Sequence, residues 1–148
     1  MNPKDSPGVD AEDGTAARAN DAFALSRLRA ACAGLPEVEE AELQGRPLFR
    51  VRKRRFAIFN GATSPARPRW QRFSRSLHFL AEPGELEALR QDHRFEASPH
   101  HGANGWMALD MDIVTIDWDE VAELLEAGYR QAAPRPLIDI LDQSRGER

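Results

Sequence analysis

The chain has 148 residues, 41% of them hydrophobic and 30% charged, which predicts one globular domain with a core of its own. It contains no apolar run of about 18 residues and no apolar stretch after its first lysine, so we expect no membrane span and no secretory signal. The single cysteine, Cys32, excludes an intramolecular disulfide and predicts a cytoplasmic location.

The net charge of −4 conceals an uneven distribution along the chain. Residues 1–45 carry nine acids and four bases, residues 46–76 carry ten bases and no acid, and residues 77–148 carry fifteen acids and six bases. The three segments therefore have net charges of −5, +10 and −9. The central segment could steer a polyanion, or the acidic flanks could fold beside it and cancel much of its field.

The N-terminal part predicts a disordered tail followed by a helix. Residues 1–19 are rich in Pro, Gly, Ala and acids and offer little to bury, which indicates disorder. Asn20 or Asp21 is a suitable cap for a helix with apolar residues at three- and four-residue steps, and Gly34 ends it. The run EVEEAE, residues 37–42, is interpreted as an acidic connection.

The segment GRPLFRVRKRRFAIFN, residues 45–60, changes to the two-residue period of a β-hairpin. With a Lys53–Arg54 turn, Arg52 would lie opposite Arg55, and the apolar side chains would share the other face. Like charges in that position cost about 0.2–1 kcal/mol, and the turn lacks the Gly or Asn that tight hairpins favour. The tip is therefore locally unfavourable, which indicates selection for something other than hairpin stability.

Strands and short helices alternate in the next part of the chain. An irregular loop at residues 60–72, NGATSPARPRWQR, precedes a strand predicted at Phe73–Leu80. A short helix is predicted to start at Pro83, and two short strands are predicted around Phe95 and over Trp106–Asp110.

The clearest helix of the chain follows. Asp117 and Glu120 form a start that resembles a capping box, and an apolar stripe with helical spacing continues until Pro134 ends the helix. We therefore expect a folded domain at residues 20–133 and a C-terminal extension, residues 134–148, that adds one or two helical turns.

The sequence contains no pattern typical of catalysis or metal binding. His100 and His101 are adjacent and would point to opposite sides of an extended chain, and neither zinc nor calcium spacing is present. Nucleophile-elbow and phosphate-loop motifs are also missing. We therefore expect no enzyme, no metal and no cofactor. Trp106, Trp118 and Tyr129 could line a small-ligand pocket or belong to the core.

Basic residues interleaved with aromatic ones favour nucleic-acid binding, because arginine suits phosphate and an aromatic ring can stack on a base. The candidate nucleic-acid-binding residues are Arg50, Arg52, Lys53, Arg54, Arg55, Arg67, Arg69, Trp70 and Arg72. If about five phosphates were neutralised, log K would fall with log salt at a slope of about −4 to −5. The alternative is a non-enzymatic protein-interaction module whose basic stretch docks an acidic partner or the chain's own acids. In both cases we expect a monomer.

Five segments resemble, in order and spacing, the MmcQ/YjbR-like family of small bacterial proteins. They are CAGLPEVEE, GRPLFRVRKRRFAIF, ELEAL, NGWMALDM and DWDEVAELLEAGYR, and together they cover about residues 28–132. The resemblance implies a CyaY-like fold, an α+β two-layer sandwich with helices packed on one face of an antiparallel sheet. Family members are described as DNA-binding proteins with a double wing, which implies wings at Arg46–Phe59 and around His100–Asp110.

The chain departs from the family pattern at the hairpin and in the loop after it. The family usually has Gly at the position of Lys53 and Lys at Arg54 or Arg55, whereas the tip here is entirely cationic. The loop at residues 60–72 is also longer than expected, and both departures add positive charge. The related frataxins bind iron on an acidic first helix, but the first helix here is poor in acids, so iron binding is not implied.

Overall fold

The computed structural model describes residues 7–64, 72–98, 105–112 and 115–146. Within these residues, one antiparallel sheet has the strand order β1-β2-β3-β4-β6-β5. The strands are β1 Val38–Leu43, β2 Arg46–Val51, β3 Arg54–Asn60, β4 Ser76–Leu80, β5 Phe95–Ala97 and β6 Trp106–Asp110. The helices are α1 Pro7–Cys32, α2 Leu86–Gln91, α3 Trp118–Ala132 and α4 Arg135–Gly146, and a 3₁₀ turn at Pro83–Glu85 precedes α2.

The helices pack on one face of the sheet, so the predicted α+β sandwich is confirmed. One core joins buried residues of helices and strands, among them Leu28, Phe49, Phe79, Leu109, Leu125, Tyr129 and Leu141. Helix α3 approaches the sheet closely because Gly128 has no side chain. A Cβ atom at this position would lie 2.9 Å from the Leu80 carbonyl oxygen, tighter than real contacts allow.

The predicted start of α3 is also confirmed. Asp117 accepts hydrogen bonds from the backbone N–H groups of Asp119 and Glu120, at 3.0 and 3.2 Å. These bonds satisfy two of the donors that a helix leaves unpaired at its N-terminus. The helix ends at Ala132, two residues before Pro134, which cannot continue it.

Helix α1 is longer than predicted. It begins at Pro7, so residues 7–19 are helical where a disordered tail was expected, and Asp21 lies inside the helix rather than at its cap. The alanines of this stretch favour a helix, and Arg75 donates a hydrogen bond to the carbonyl oxygen of Ala17 at 3.2 Å. That contact comes from a distant part of the chain, and a local sequence pattern does not contain it.

The C-terminal extension is also more helical than predicted. Helix α4 has 12 residues rather than one or two turns, and Leu137 and Leu141 are buried in the core. Arg130 of α3 is paired with Asp142 of α4 at 2.7 Å. Because apolar burial and an ion pair both join α4 to α3, residues 135–146 belong to the folded domain.

The acidic run at residues 37–42 forms most of the edge strand β1 and is not a connection. Ala41 and Leu43 pack on the sheet face opposite the helices, against a cluster of Leu48, Ile58 and Trp106. This packing and the full antiparallel pairing with β2 outweigh the low strand propensity of glutamate. The strand carries three glutamates, Glu39, Glu40 and Glu42, and pairs with the first strand of the basic hairpin.

The β2–β3 hairpin turns one residue earlier than predicted. Its turn residues are Arg52 and Lys53, with left-handed φ angles of 49° and 67°, as in a type I′ turn. Arg50 therefore lies opposite Arg55, and the predicted pairing of Arg52 with Arg55 is wrong. A bulge then adds one residue to β3, which returns Phe56 to the core.

Candidate nucleic-acid interface

The end of the β2–β3 hairpin, residues 52–55, is called the hairpin tip below. It exposes three adjacent cations, Lys53, Arg54 and Arg55. Within the described residues, none of the three side chains forms a hydrogen bond or an ion pair. They are called the tip cations below, and they give this end of the sheet its positive charge.

Arg52 is held by Glu37, which precedes β1. The guanidinium donates to both carboxylate oxygens, at 2.6 and 3.2 Å. Glu37 has a φ of 60°, so both partners have left-handed backbones, which costs about 1–2 kcal/mol for each residue. The hydrogen bond from Arg52 lowers the pKa of Glu37, so this carboxylate stays charged at neutral pH.

Arg50 is held in the same way by Glu39 of β1. Its Nε atom lies 2.6 Å from the carboxylate, and Glu39, Arg50 and Arg55 form one row across β1, β2 and β3. The acid therefore reduces the repulsion between two arginines that face each other across the ladder. Glu37 and Glu39 were not among the predicted site residues; the signal for them was the acidic run next to the basic one.

Of the remaining predicted residues, Arg72 lies away from this site and the other three cannot be placed. Arg72 pairs with Glu96 of β5 at 2.9 Å, near the sheet edge opposite β1, and its guanidinium lies 4.3 Å from the centre of the Phe73 ring. Arg67, Arg69 and Trp70 lie outside the described residues. The structure thus brings together five of the predicted residues, which are Arg50, Arg52, Lys53, Arg54 and Arg55.

Arg75, the last base of the central segment, is buried and serves the fold. It is 6% exposed, its Nε atom donates to Asp21 at 2.6 Å, and it also pairs with Asp112. Asp21 in addition accepts hydrogen bonds from the backbone N–H groups of Ala62 and Thr63. Burial alone would raise the pKa of Asp21, but hydrogen bonds from Thr63 and Arg75 hold it below the usual value. Asp21 thereby joins α1 to the residues that follow β3 and to Arg75, which directly precedes β4.

The three aromatic residues that could line a ligand pocket lie in separate places. Trp106 belongs to the cluster on the sheet face opposite the helices, and Trp118 meets Phe23 edge-on at 6.1 Å. Tyr129 is buried in the core, where its hydroxyl donates to the carbonyl oxygen of Pro36 at 2.7 Å. The predicted pocket between sheet and helix is therefore not formed by these residues.

Among the described residues, Cys32 and His78 are buried, whereas His93 is exposed. Burial raises the pKa of the Cys32 thiol to about 12, so the thiol stays protonated at neutral pH. His78 is 1% exposed, and its ring nitrogens contact the hydroxyls of Ser76 and Ser98 at 3.1 and 2.9 Å. Within the same residues, no three His, Cys, Asp or Glu side chains form a group that could hold a metal ion.

None of the described helices is both long and apolar enough to cross a membrane.

Comparison with known proteins identifies relatives of this chain. The family model named YjbR matches residues 33–131. The crystal structure of the Deinococcus radiodurans protein DR2400, which carries a DUF419 domain, superposes with a TM-score of 0.61 at 21% identity and covers 80% of this chain and 87% of its own. A Pseudomonas syringae protein superposes with a TM-score of 0.55 at 11% identity, over 73% of this chain and 97% of its own. At these identities the two structures show the fold alone. No curated protein matches the chain.

Proposed function

The chain belongs to the YjbR family, and on that premise we propose that it binds the phosphate backbone of duplex DNA through the hairpin tip. The observation that carries this proposal is the set of three adjacent exposed cations, none of which has an acidic partner within the described residues. Lys and Arg form strong charge-assisted hydrogen bonds with phosphate, and such contacts dominate the affinity of proteins for duplex DNA.

The backbone of the tip supports the same proposal. Arg52 and Lys53 hold left-handed conformations that Gly, Asn or Asp would adopt more readily. Long cationic side chains at these two positions therefore lower the stability of the turn. A two-stranded ribbon is also narrow enough to enter the major groove, where its end would lie between the phosphates of both strands.

The proposed role is binding without a chemical step, by a monomer in the cytoplasm. Cys32 and His78 are both buried away from the tip, and the exposed His93 lies between α2 and β5. The tip itself carries only cations. Its contacts with phosphate would position the protein on a duplex without selecting a sequence.

A second candidate function is the docking of an acidic protein. It is favoured by one observation: Arg50 and Arg52 already bind carboxylates, at 2.6 Å in both cases. Polyglutamate competition separates the two candidates. If polyglutamate displaces a bound duplex at equal charge concentration, the acidic protein is favoured; DNA binding predicts that the duplex stays bound.

The proposal is tested by fluorescence anisotropy with a labelled duplex of about 20 base pairs at about 50 mM salt. We expect the variant Lys53→Glu/Arg54→Glu/Arg55→Glu to lose at least about 100-fold in affinity, because three attractive contacts become repulsive. The control Arg18→Glu/Arg90→Glu/Arg135→Glu makes the same change in net charge at exposed sites on the helices. Equal losses in both variants, or no binding by the unmodified protein, would contradict the proposal.

A further inference from the structure

We propose that Glu37 and Glu39 are internal competitors for phosphate, which hold Arg52 and Arg50 so that the hairpin engages a polyanion with three cations rather than five. The inference rests on the proposed function of the hairpin tip. It concerns what limits the affinity of that site and which charges take part in binding.

The geometry of the two ion pairs carries the inference. Glu37 receives two hydrogen bonds from the Arg52 guanidinium, and Glu39 lies 2.6 Å from Nε of Arg50. The tip cations, one to three residues further along, have no such partner among the residues that the structure describes. Of the five basic side chains at this end of the sheet, two are thus paired with a carboxylate, and three have no acidic partner within the described residues.

The two acids are placed where only the hairpin can use them. Strand β1 is at the edge of the sheet and pairs with β2 alone, so its register sets Glu39 directly opposite Arg50. Glu37 precedes the strand, beside the turn. By contrast, Glu40 pairs with Arg29 of α1 on the helix side of the sheet, and Glu42 lies at the end of β1 that is remote from the tip.

Stability alone does not account for these pairs. The side chains of Arg52 and Glu37 are 54% and 51% exposed, and ion pairs at that exposure contribute little to folding. For a phosphate the same pairs matter more, because a tethered carboxylate is always present at high local concentration. An incoming phosphate must displace the carboxylate or remain beside it and be repelled.

The number of cations used is measurable as a salt slope. Three phosphate contacts predict that log K falls with log salt at a slope of about −2.7, and five contacts predict about −4.5. We expect a slope of about −2.7 for the unmodified protein and of about −4.5 for Glu37→Gln/Glu39→Gln. This variant should also bind the duplex at least about tenfold more tightly at 50 mM salt, since two further contacts form.

The experiment measures anisotropy of the same labelled duplex between about 50 and 200 mM salt. The control Glu42→Gln/Glu123→Gln removes the same charge from two exposed glutamates that have no partner within the described residues. It should leave the slope at about −2.7. The single variant Glu39→Gln, which leaves the turn untouched, should give an intermediate slope of about −3.6.

Three results would overturn the inference. If the unmodified protein binds with a slope near −4.5, the acids do not withhold Arg50 and Arg52 (about five contacts). If both double variants gain affinity equally with an unchanged slope, the effect is net charge and not competition. If no variant binds the duplex at low salt, the proposed function fails together with this inference, whereas the first two results leave the proposed function intact.

Discussion

Arg75 and Arg52 come from the same basic segment, but the fold surrounds them differently. Arg75 is 6% exposed and is held by Asp21 and Asp112, whereas the side chain of Arg52 is 54% exposed and is held by Glu37. A buried ion pair is needed for folding, because either partner alone would be an unpaired buried charge. An exposed pair is exchangeable. Burial and pairing with acids, and not the density of charge along the chain, therefore decide which arginines are available to a ligand.

The buried pair gives the largest expected effect. Asp21→Asn removes the charge opposite Arg75 and one of the two carboxylate oxygens that accept hydrogen bonds from the backbone, so we expect it to lower the free energy of unfolding by about 3 kcal/mol. Urea denaturation followed by circular dichroism measures this loss. A change below about 1 kcal/mol would show that Arg75 does not depend on Asp21 and would remove the contrast with Arg52.

Substitutions that remove or add a glycine test the same contrast between the buried Arg75 ion pair and the hairpin tip. A Cβ atom at Gly61 would lie 2.6 Å from the Asp21 carboxylate, so Gly61→Ala should lower the free energy of unfolding by about 2 kcal/mol. At the tip, Lys53→Gly should instead stabilise the protein by about 1 kcal/mol, because glycine adopts the left-handed turn without strain.

The Lys53→Gly variant should also bind the duplex more weakly than the unmodified protein. Denaturation and anisotropy on the same sample give both numbers. Lower stability with unchanged binding would indicate that the turn was not selected for its charge.

Unfolding at acid pH should depend on the Asp21 carboxylate, which pairs with Arg75. The pKa of Asp21 is lower in the folded protein than in the unfolded chain, so its contribution to stability is present above the unfolded pKa, near 4, and is lost as pH falls through the folded value. We expect Asp21→Asn to flatten the decline in the free energy of unfolding below about pH 4. An unchanged acid profile would mean that another carboxylate controls this decline.

The smallest effect on stability is expected at the exposed pair. Glu37→Gln should leave the urea midpoint unchanged, because the ion pair with Arg52 is open to solvent. A clear loss of stability in this variant would show that the pair is structural, like that of Arg75. The distinction between the buried ion pair of Arg75 and the exposed ion pair of Arg52 would then no longer hold.

Parts of the fold with strong local signals could be predicted from the sequence. The α3 cap at Asp117 and the short strand at Trp106–Asp110 follow from nearby residues alone. The turn at Arg52–Lys53 could not be placed, because the alternating pattern does not reveal the bulge that shifts the register by one residue. The long-range bond from Arg75 to Ala17 likewise has no local signature.

The candidate site was predicted in part, for a related physical reason. The density of arginine identified the hairpin, since charge is visible in composition. Which arginines are occupied depends on cross-strand register and burial, so the roles of Glu37 with Arg52 and of Asp21 with Arg75 appear only in the folded structure. Strand β1 was missed because packing of Leu43 and pairing with β2 outweigh the glutamates.

The central claim is that the hairpin tip is the binding site. An NMR titration of the ¹⁵N-labelled protein with the duplex tests it most directly, because it observes the hairpin tip and the surroundings of Arg75 at once. The account predicts that the Nε–H signals of Arg54 and Arg55 and the backbone amides of the hairpin tip shift on binding. The Nε–H signal of Arg75 and the amides of residues 61–64 should not move. Shifts concentrated at Arg75, or spread evenly over the exposed bases, would contradict the claim that the hairpin tip is the binding site.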